Sequence, residues 1–435
     1  MNKKKAIYII GGGELGIKII EWASEVGLKT IVTDKNPSSP GILISDISIN
    51  IDALDENEHI NQVKILSAKY NIVGVYCQIE SALLVRHSIL SYLNLPTNSL
   101  KSLDISMNKE LMKMCWLKES ILTPEYREIS SLEELSKFLN VREGNFVIKP
   151  TKGSGSRGVQ SVNKHSNYEN VYKLCMNSVA GDGHIIIEEK INGRSIDANG
   201  ILIKGKFYPA GILEKFQIGR PTFLPLGGNE IMDMSEDEKL DIYSMLERAA
   251  ASIGLTEGPI KADLIKKDGN YYILEVAARL HGDITTCNIL PYGSGINPIK
   301  FYFSYLFNED ILRKYLTPNI FKRKYALWRV ICLPPGKLKN LSLPKNNKNN
   351  SIIKIWINNK INNHIQIYND TRTIPGYICC HGISKEDAEN KLEDYFKEAN
   401  FKIDINPDMI KWYKTLGKRI DSLGLKRSSC GYVNC

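Results

Sequence analysis

The stretch FVIKPTKGSGSRGV, residues 146–159, decides how this sequence is read. It opens as a short apolar run interrupted by Lys149, as in a buried strand that delivers one lysine near its end. Gly153, Gly155 and Gly158 follow, interleaved with Lys152, Ser154, Ser156 and Arg157, and a second apolar run starts at Val159. A glycine- and serine-rich turn between two strands offers backbone donors and hydroxyls to a polyphosphate. A strand lysine beside it suits the same ligand. Taken alone, Lys149 reads equally well as a strand-end lysine with its head in water.

Towards the N-terminus, YIIGGGELGIKII (residues 8–20) has the same G-x-G-x-x-G spacing at Gly11, Gly13 and Gly16. Here the glycines open a helix, because Leu15, Ile19, Ala23 and Val26 recur at helical spacing. The runs TIVTD and IVGVYC, with a helical stretch between them, complete the alternation of a parallel, doubly wound sheet. By rule, this loop and Asp34 form a dinucleotide fingerprint and point to an NAD-dependent oxidoreductase. That reading gives the second glycine loop no role. A helix N-terminus holds other anions as well.

Towards the C-terminus come the strands HIIIEEKI, SIDANGILI and GKFYPAGIL and the helix EDEKLDIYSMLERAAASIG. GPIKADLI and NYYILEVAARL then form a hairpin about KKDG. It carries Asp263 on one strand and Glu275 on the other. Unpaired acids in apolar strands are costly to bury. A divalent cation with oxygen ligands removes that cost, and Mg2+ takes one or two carboxylates plus substrate phosphates. The alternative is a pair of edge-strand acids facing water.

These segments in order resemble the ATP-grasp superfamily. SMNKELMKMCWLKESILTPEY is similar to its opening helix, FVIKPTKGSGSRGV to its lysine strand and phosphate flap, and IIIEEKINGRS to the hinge that holds adenine. IKADLIKKDGNYYILEVAARLHGD is similar to its metal hairpin and basic end. A fainter likeness to the carboxylate–amine ligases of this group, the L-amino-acid ligases among them, continues through ALWRVICLPPGK and DTRTIPGYICCHGISKEDAENKL. The resemblance implies an N-terminal doubly wound parallel-sheet (pre-ATP-grasp) domain over 1–105. An ATP-grasp small lobe with the flap over 106–188 and a large lobe with the metal hairpin over 189–320 come next. A small α+β domain over 321–435 completes the α/β and α+β chain.

The resemblance also implies roles. Lys109 and Lys149 would contact nucleotide phosphates, and Ser154, Gly155 and Ser156 would close over them. Glu188, Glu189 and Ile191 would form the hinge, with backbone groups of Glu188 and Ile191 at the adenine edge. Asp263 and Glu275 would hold Mg2+, and Arg279 would steady the transferred phosphoryl group. Lys215 would be a further phosphate contact. Gly13, Glu14, His281 and Gly282 would face the substrate, with His281 equally readable as a structural loop histidine. Two positions depart from the pattern. Ala277 stands where the family often has a metal-binding Asn, which puts a second metal ion in doubt. Ser195 stands where the family has a ribose-binding Glu, and Asp197, on the same strand face, could serve instead. The implied reaction is ATP-dependent joining of a small carboxylate to an amine, with amino-acid-like substrates expected. The rivals are an ATP-dependent carboxylase and a non-catalytic nucleotide-binding protein.

Composition agrees. The 435 residues are 43% hydrophobic and 24% charged, with a formal net charge of +9, enough for roughly three domains. No basic run interleaved with aromatics points to nucleic acid. The run AIYII after MNKKK is too short for a signal peptide, and no stretch reaches the ~18 apolar residues of a membrane span. The nine cysteines show no C-x-x-C pair, so free thiols in a reducing cytoplasm are expected. A homodimer is the default oligomer. Residues 344–364, rich in Asn and Lys, read as a polar excursion with one strand.

Overall fold

The computed structural model describes residues 3–218, 223–231, 233–308, 324–344, 351–358, 364–368 and 373–433. The side chain of Leu15, Cys435 and much of the Asn-rich stretch lie outside them.

The first sheet is parallel, in the order β3-β2-β1-β4. It comprises β1 (Lys4–Ile10), β2 (Lys29–Thr33), β3 (Ile47–Ile49) and β4 (Tyr70–Cys77). Ala6 to Ile10 are all buried, because helices cover both faces of such a sheet and its central strand must be apolar throughout. The helix Ile17–Val26 contributes Ile19, Ile20 and Ala23 to that packing.

The second sheet is antiparallel and holds β5 (Tyr126–Ile129), β6 (Phe146–Pro150), β7 (Gln160–Val162) and β8 (Ile185–Glu189), in the order β5-β8-β6-β7. The glycine loop therefore joins two neighbouring antiparallel strands, β6 and β7.

The remaining strands are β9 (Arg194–Ile203), β10 (Lys206–Gln217), β11 (Pro225–Glu230), β12 (Gly258–Lys267), β13 (Asn270–Ala277), β14 (Tyr325–Val330), β15 (Gly336–Ser342), β16 (Ile352–Ile357), β17 (His364–Ile365), β18 (Gly376–Gly382) and β19 (Asn400–Ile405). Among the described residues they form an eight-stranded sheet, β13-β12-β9-β10-β11-β14-β18-β16, and a three-stranded one, β17-β15-β19. The larger sheet runs through β14, β18 and β16, so the boundary expected after residue 320 falls inside one sheet.

Strand alternation places the site. Ile196 and Ala198 of β9, Ile260 and Ala262 of β12 and Val276 of β13 pack with Ile242, Leu246, Ala249 and Ala250 of the helix Glu236–Ser252. The residues between them, Asp197, Asn199, Lys261, Asp263 and Glu275, take the opposite face. The β12–β13 turn has φ of 50° at Asp268 and 78° at Gly269, the left-handed pair that Asp-Gly favours in a tight hairpin.

Candidate active site

Three carboxylates stand side by side across the large sheet. Asp197 of β9 is in register with Asp263 of β12, which is in register with Glu275 of β13. Cross-strand partners lie about 5 Å apart, so the like charges need counter-ions, and lysines supply them. Lys215 donates to Asp197 Oδ1 at 2.5 Å and Asp263 Oδ1 at 2.9 Å. Lys261 donates to Asp263 Oδ2 at 2.7 Å and Glu275 Oε1 at 2.6 Å. Lys109 lies 3.3 Å from Glu275 Oε2. Burial alone pushes the Glu275 carboxyl up, but Lys261 and Lys109 outweigh it and hold it well below the usual carboxylate range. Asp263 is held low in the same way, with Lys215 and Lys261 outweighing burial.

His281 joins this cluster. Its Nε2 lies 3.0 Å from Asp263 Oδ1 and 3.3 Å from Asp197 Oδ1. Its backbone N–H and Nδ1 both meet Asn199 Oδ1, at 3.0 and 3.1 Å. Ligand atoms of Asp197, Asp263 and His281 all lie within 4.8 Å of one another, an oxygen-rich set that fits a hard divalent cation. The structure thus places His281 among the carboxylates, and places Lys215 and Asp197 in a mutual ion pair.

Glu188 is in register with Tyr126 of β5 on one side and Val147 of β6 on the other. Its buried side chain binds two lysines, Lys149 at 2.6 Å and Lys113 at 2.9 Å. Lys113 is fully buried and also donates to Thr123 Oγ1 and the Pro124 carbonyl, at 2.7 and 3.2 Å. Burial pulls its pKa down to about 8 against the pull of Glu188. Along the hinge, the N–H of Glu189 donates to the Glu125 carbonyl and that of Lys190 to the Asn145 carbonyl, at 2.9 and 3.2 Å. Ile191 is buried just beyond them.

The flap is tethered at its start by Lys109. Lys109 begins the helix Lys109–Lys118, with its backbone N–H on the Thr151 carbonyl at 2.9 Å and its Nζ on the Gly153 carbonyl at 2.8 Å. One lysine therefore links the glycine loop and the β12–β13 hairpin. Gly153, Gly155, Ser156 and Gly158 all have positive φ. Turns of this kind aim successive N–H groups at an anion. Gly158 (φ +70°) also packs so closely that a Cβ would come within 2.6 Å of Ser178 Cβ. We expect Gly158→Ala to raise the KM for ATP roughly tenfold, the equivalent of ~1.4 kcal/mol from the 1–3 kcal/mol strain of such a backbone. Steady-state ADP formation against ATP concentration checks this, with unfolding temperature as the control for global damage.

Arg279 reaches the first domain. Its Nε lies 3.2 Å from Glu80 Oε2, which also accepts from its terminal nitrogen. Burial lowers the Arg279 pKa, but Glu80 outweighs it and the guanidinium is held charged. Arg86 donates to the Ala278 carbonyl at 3.1 Å and Gln78 to the His281 carbonyl at 3.3 Å. The C-terminal end of β4 thus meets the segment after the β12–β13 hairpin, at the strand ends where open parallel sheets bind ligands. The turn Glu14–Gly16 packs beside the helix Asp283–Asn288, whose N-cap is the exposed Gly282. Gly13 is exposed there, and Glu14 forms an ion pair with Lys354 of β16 at 2.6 Å. Asp34 accepts from the Gly12 N–H at 2.9 Å and closes the first glycine loop upon itself.

Lys113, Lys261 and Glu80 escaped the sequence reading. Two carried a signal: Lys113 is four residues from Lys109 on one helix, and Lys261 is two residues from Asp263 on one strand. Glu80 lies 199 residues from its partner Arg279, and no local pattern marks it.

The chain is similar to known proteins. A family model described as an ATP-grasp domain matches residues 143–288. Residues 143–288 thus match an ATP-grasp domain. The match takes in the glycine loop between β6 and β7, strand β8 and the β12–β13 hairpin. Among curated proteins, the chain is similar to the formate-dependent phosphoribosylglycinamide formyltransferase of Methanocaldococcus jannaschii, 27% identical over 186 residues. That alignment covers 42% of this chain and 47% of that protein. The corresponding protein of Sulfurisphaera tokodaii is 28% identical over 193 residues, covering 43% and 47%. The similarity thus spans about half the length of these relatives. Among solved structures, an L-amino acid ligase from Bacillus licheniformis aligns with a TM-score of 0.76 at 20% identity, over 93% of this chain and all of that one. A phosphoribosylglycinamide synthetase from Anaerococcus prevotii aligns with a TM-score of 0.70 at 20% identity, over 92% and 100%. The fold shared with these two structures therefore extends over most of the chain. Among the described residues, no helix is long and apolar enough to cross a membrane.

Proposed function

We propose that this protein is an ATP-dependent carboxylate–amine ligase that forms an amide or peptide bond through an acyl phosphate, releasing ADP and phosphate. The observation that carries this reading is the carboxylate row Asp197–Asp263–Glu275 joined through Lys109 to the glycine flap. The row suits the metal-bound end of a nucleotide triphosphate, and the flap suits its phosphates. Mg2+, when bound, would neutralise phosphate charge from Asp263 and Glu275, with Asp197 and His281 within reach.

The side chains do the rest. Lys109 and Lys149 bind phosphate oxygens. Ser154, Gly155 and Ser156 close over them and exclude water, which would hydrolyse an acyl phosphate. Arg279 orients the acid and stabilises charge on the transferred group. Two ion pairs flank the segment 279–288, Arg279–Glu80 and Lys354–Glu14. They present both signs of charge and suit an acid that also carries an ammonium group, such as an amino acid. The formate-dependent relatives make formate a second choice of acid.

The test is ADP release with Mg2+, ATP and a panel of acids, formate, bicarbonate and L-amino acids, each with and without an amine. ADP release that needs both an acid and an amine, with an amide product by mass spectrometry, is the expected result. Bicarbonate dependence would replace the ligase with a carboxylase. Tight ATP binding with no turnover across the panel would leave a nucleotide-binding protein.

A further inference from the structure

Beside the carboxylates runs a second row, in which Asn199, Lys261 and Ala277 are in register across β9, β12 and β13. Lys261 is its centre. It is 3% exposed and lies between the two hairpin acids, 2.7 Å from Asp263 Oδ2 and 2.6 Å from Glu275 Oε1. Its neighbour Ala277 offers no ligand atom. The other neighbour, Asn199, has its amide oxygen engaged by the backbone N–H of His281 and in contact with its Nδ1. Each hairpin carboxylate thus gives one oxygen to the Lys261 ammonium. The oxygens that remain point apart, Asp263 Oδ1 towards Lys215 and His281, and Glu275 Oε2 towards Lys109.

A second divalent cation between Asp263 and Glu275 would need the two oxygens that Lys261 holds. We infer that the Lys261 ammonium takes the place of one divalent cation between Asp263 and Glu275, so that the site binds a single divalent cation with its nucleotide. This rests on the nucleotide-binding reading above.

The test is a count of bound Mn2+ by EPR, at saturating AMP-PNP, on the full chain. The wild-type protein should hold one Mn2+ per bound AMP-PNP. Lys261→Met, which frees both carboxylates, should hold two. Two Mn2+ in the wild-type protein would overturn the inference, and this arm needs no variant to fold. One Mn2+ in a folded Lys261→Met protein with unchanged AMP-PNP affinity would overturn it as well, since the lysine would then not decide the count. A wild-type chain that bound no AMP-PNP would fail differently, removing the nucleotide reading and the inference with it.

Discussion

Glu275→Gln should lower ADP formation by about two to three orders of magnitude, the usual cost of removing one preorganised charge at a transferring group. The amide keeps the shape and loses the charge. Lys261 then keeps only Asp263 and Lys109 loses its carboxylate, both in a buried site. The cation site also loses an anionic oxygen. Coupled ADP release in the presence of Mg2+ and the acid found by the panel measures the loss. Near-normal turnover by this variant would remove Glu275 from the active site and with it the function proposed for the hairpin.

Glu188→Gln should destabilise the protein by about 3–5 kcal/mol, the range for breaking a buried ion pair from one side. Two buried lysines, Lys113 and Lys149, depend on this carboxylate. At ~2–4 °C per kcal/mol for a domain of 150–250 residues, the fall in unfolding temperature is on the order of 10 °C. Lys113→Met added to Glu188→Gln should restore part of it, because the less accommodated cation is gone. The sign with pH comes from Glu188 itself. Burial raises its pKa, but Lys113 and Lys149 outweigh burial and hold it below the ordinary value. Its stabilisation is therefore fully present above pH ~4.3, the unfolded carboxyl value, and fades as pH falls through the lower folded value. Thermal unfolding from pH 3 to 7 should show a steeper acid loss in the wild-type protein than in Glu188→Gln. Equal slopes would mean that the carboxylate does not carry this pair.

The two glycine loops show how far a pattern reaches. Both read G-x-G-x-x-G, yet one opens the helix Ile17–Val26 and the other joins β6 to β7. The residues after each loop separate them in the sequence, a helical apolar period in one case and VQSV in the other. Asp34 fits a ribose-binding acid by rule, but it holds the Gly12 N–H of its own loop. A motif states which residues are near in sequence, and the acid's partner was chosen by the turn of the backbone.

Local order was legible because it depends on near neighbours. Period-two alternation put Asp197, Asp263 and Glu275 opposite the apolar residues of their strands, helical period set Ile19 and Ala23 inward, and Asp-Gly fixed the hairpin that pairs Asp263 with Glu275. All three come from side-chain geometry along one strand or helix. Partner choice was not legible. Glu188 became the anchor of Lys113 and Lys149, Arg279 met Glu80 of the first domain, and His281 turned to Asp263. A buried charge must find an opposite charge wherever the fold supplies one. Which one it finds depends on how strands and domains pack together, and only the tertiary structure decides that.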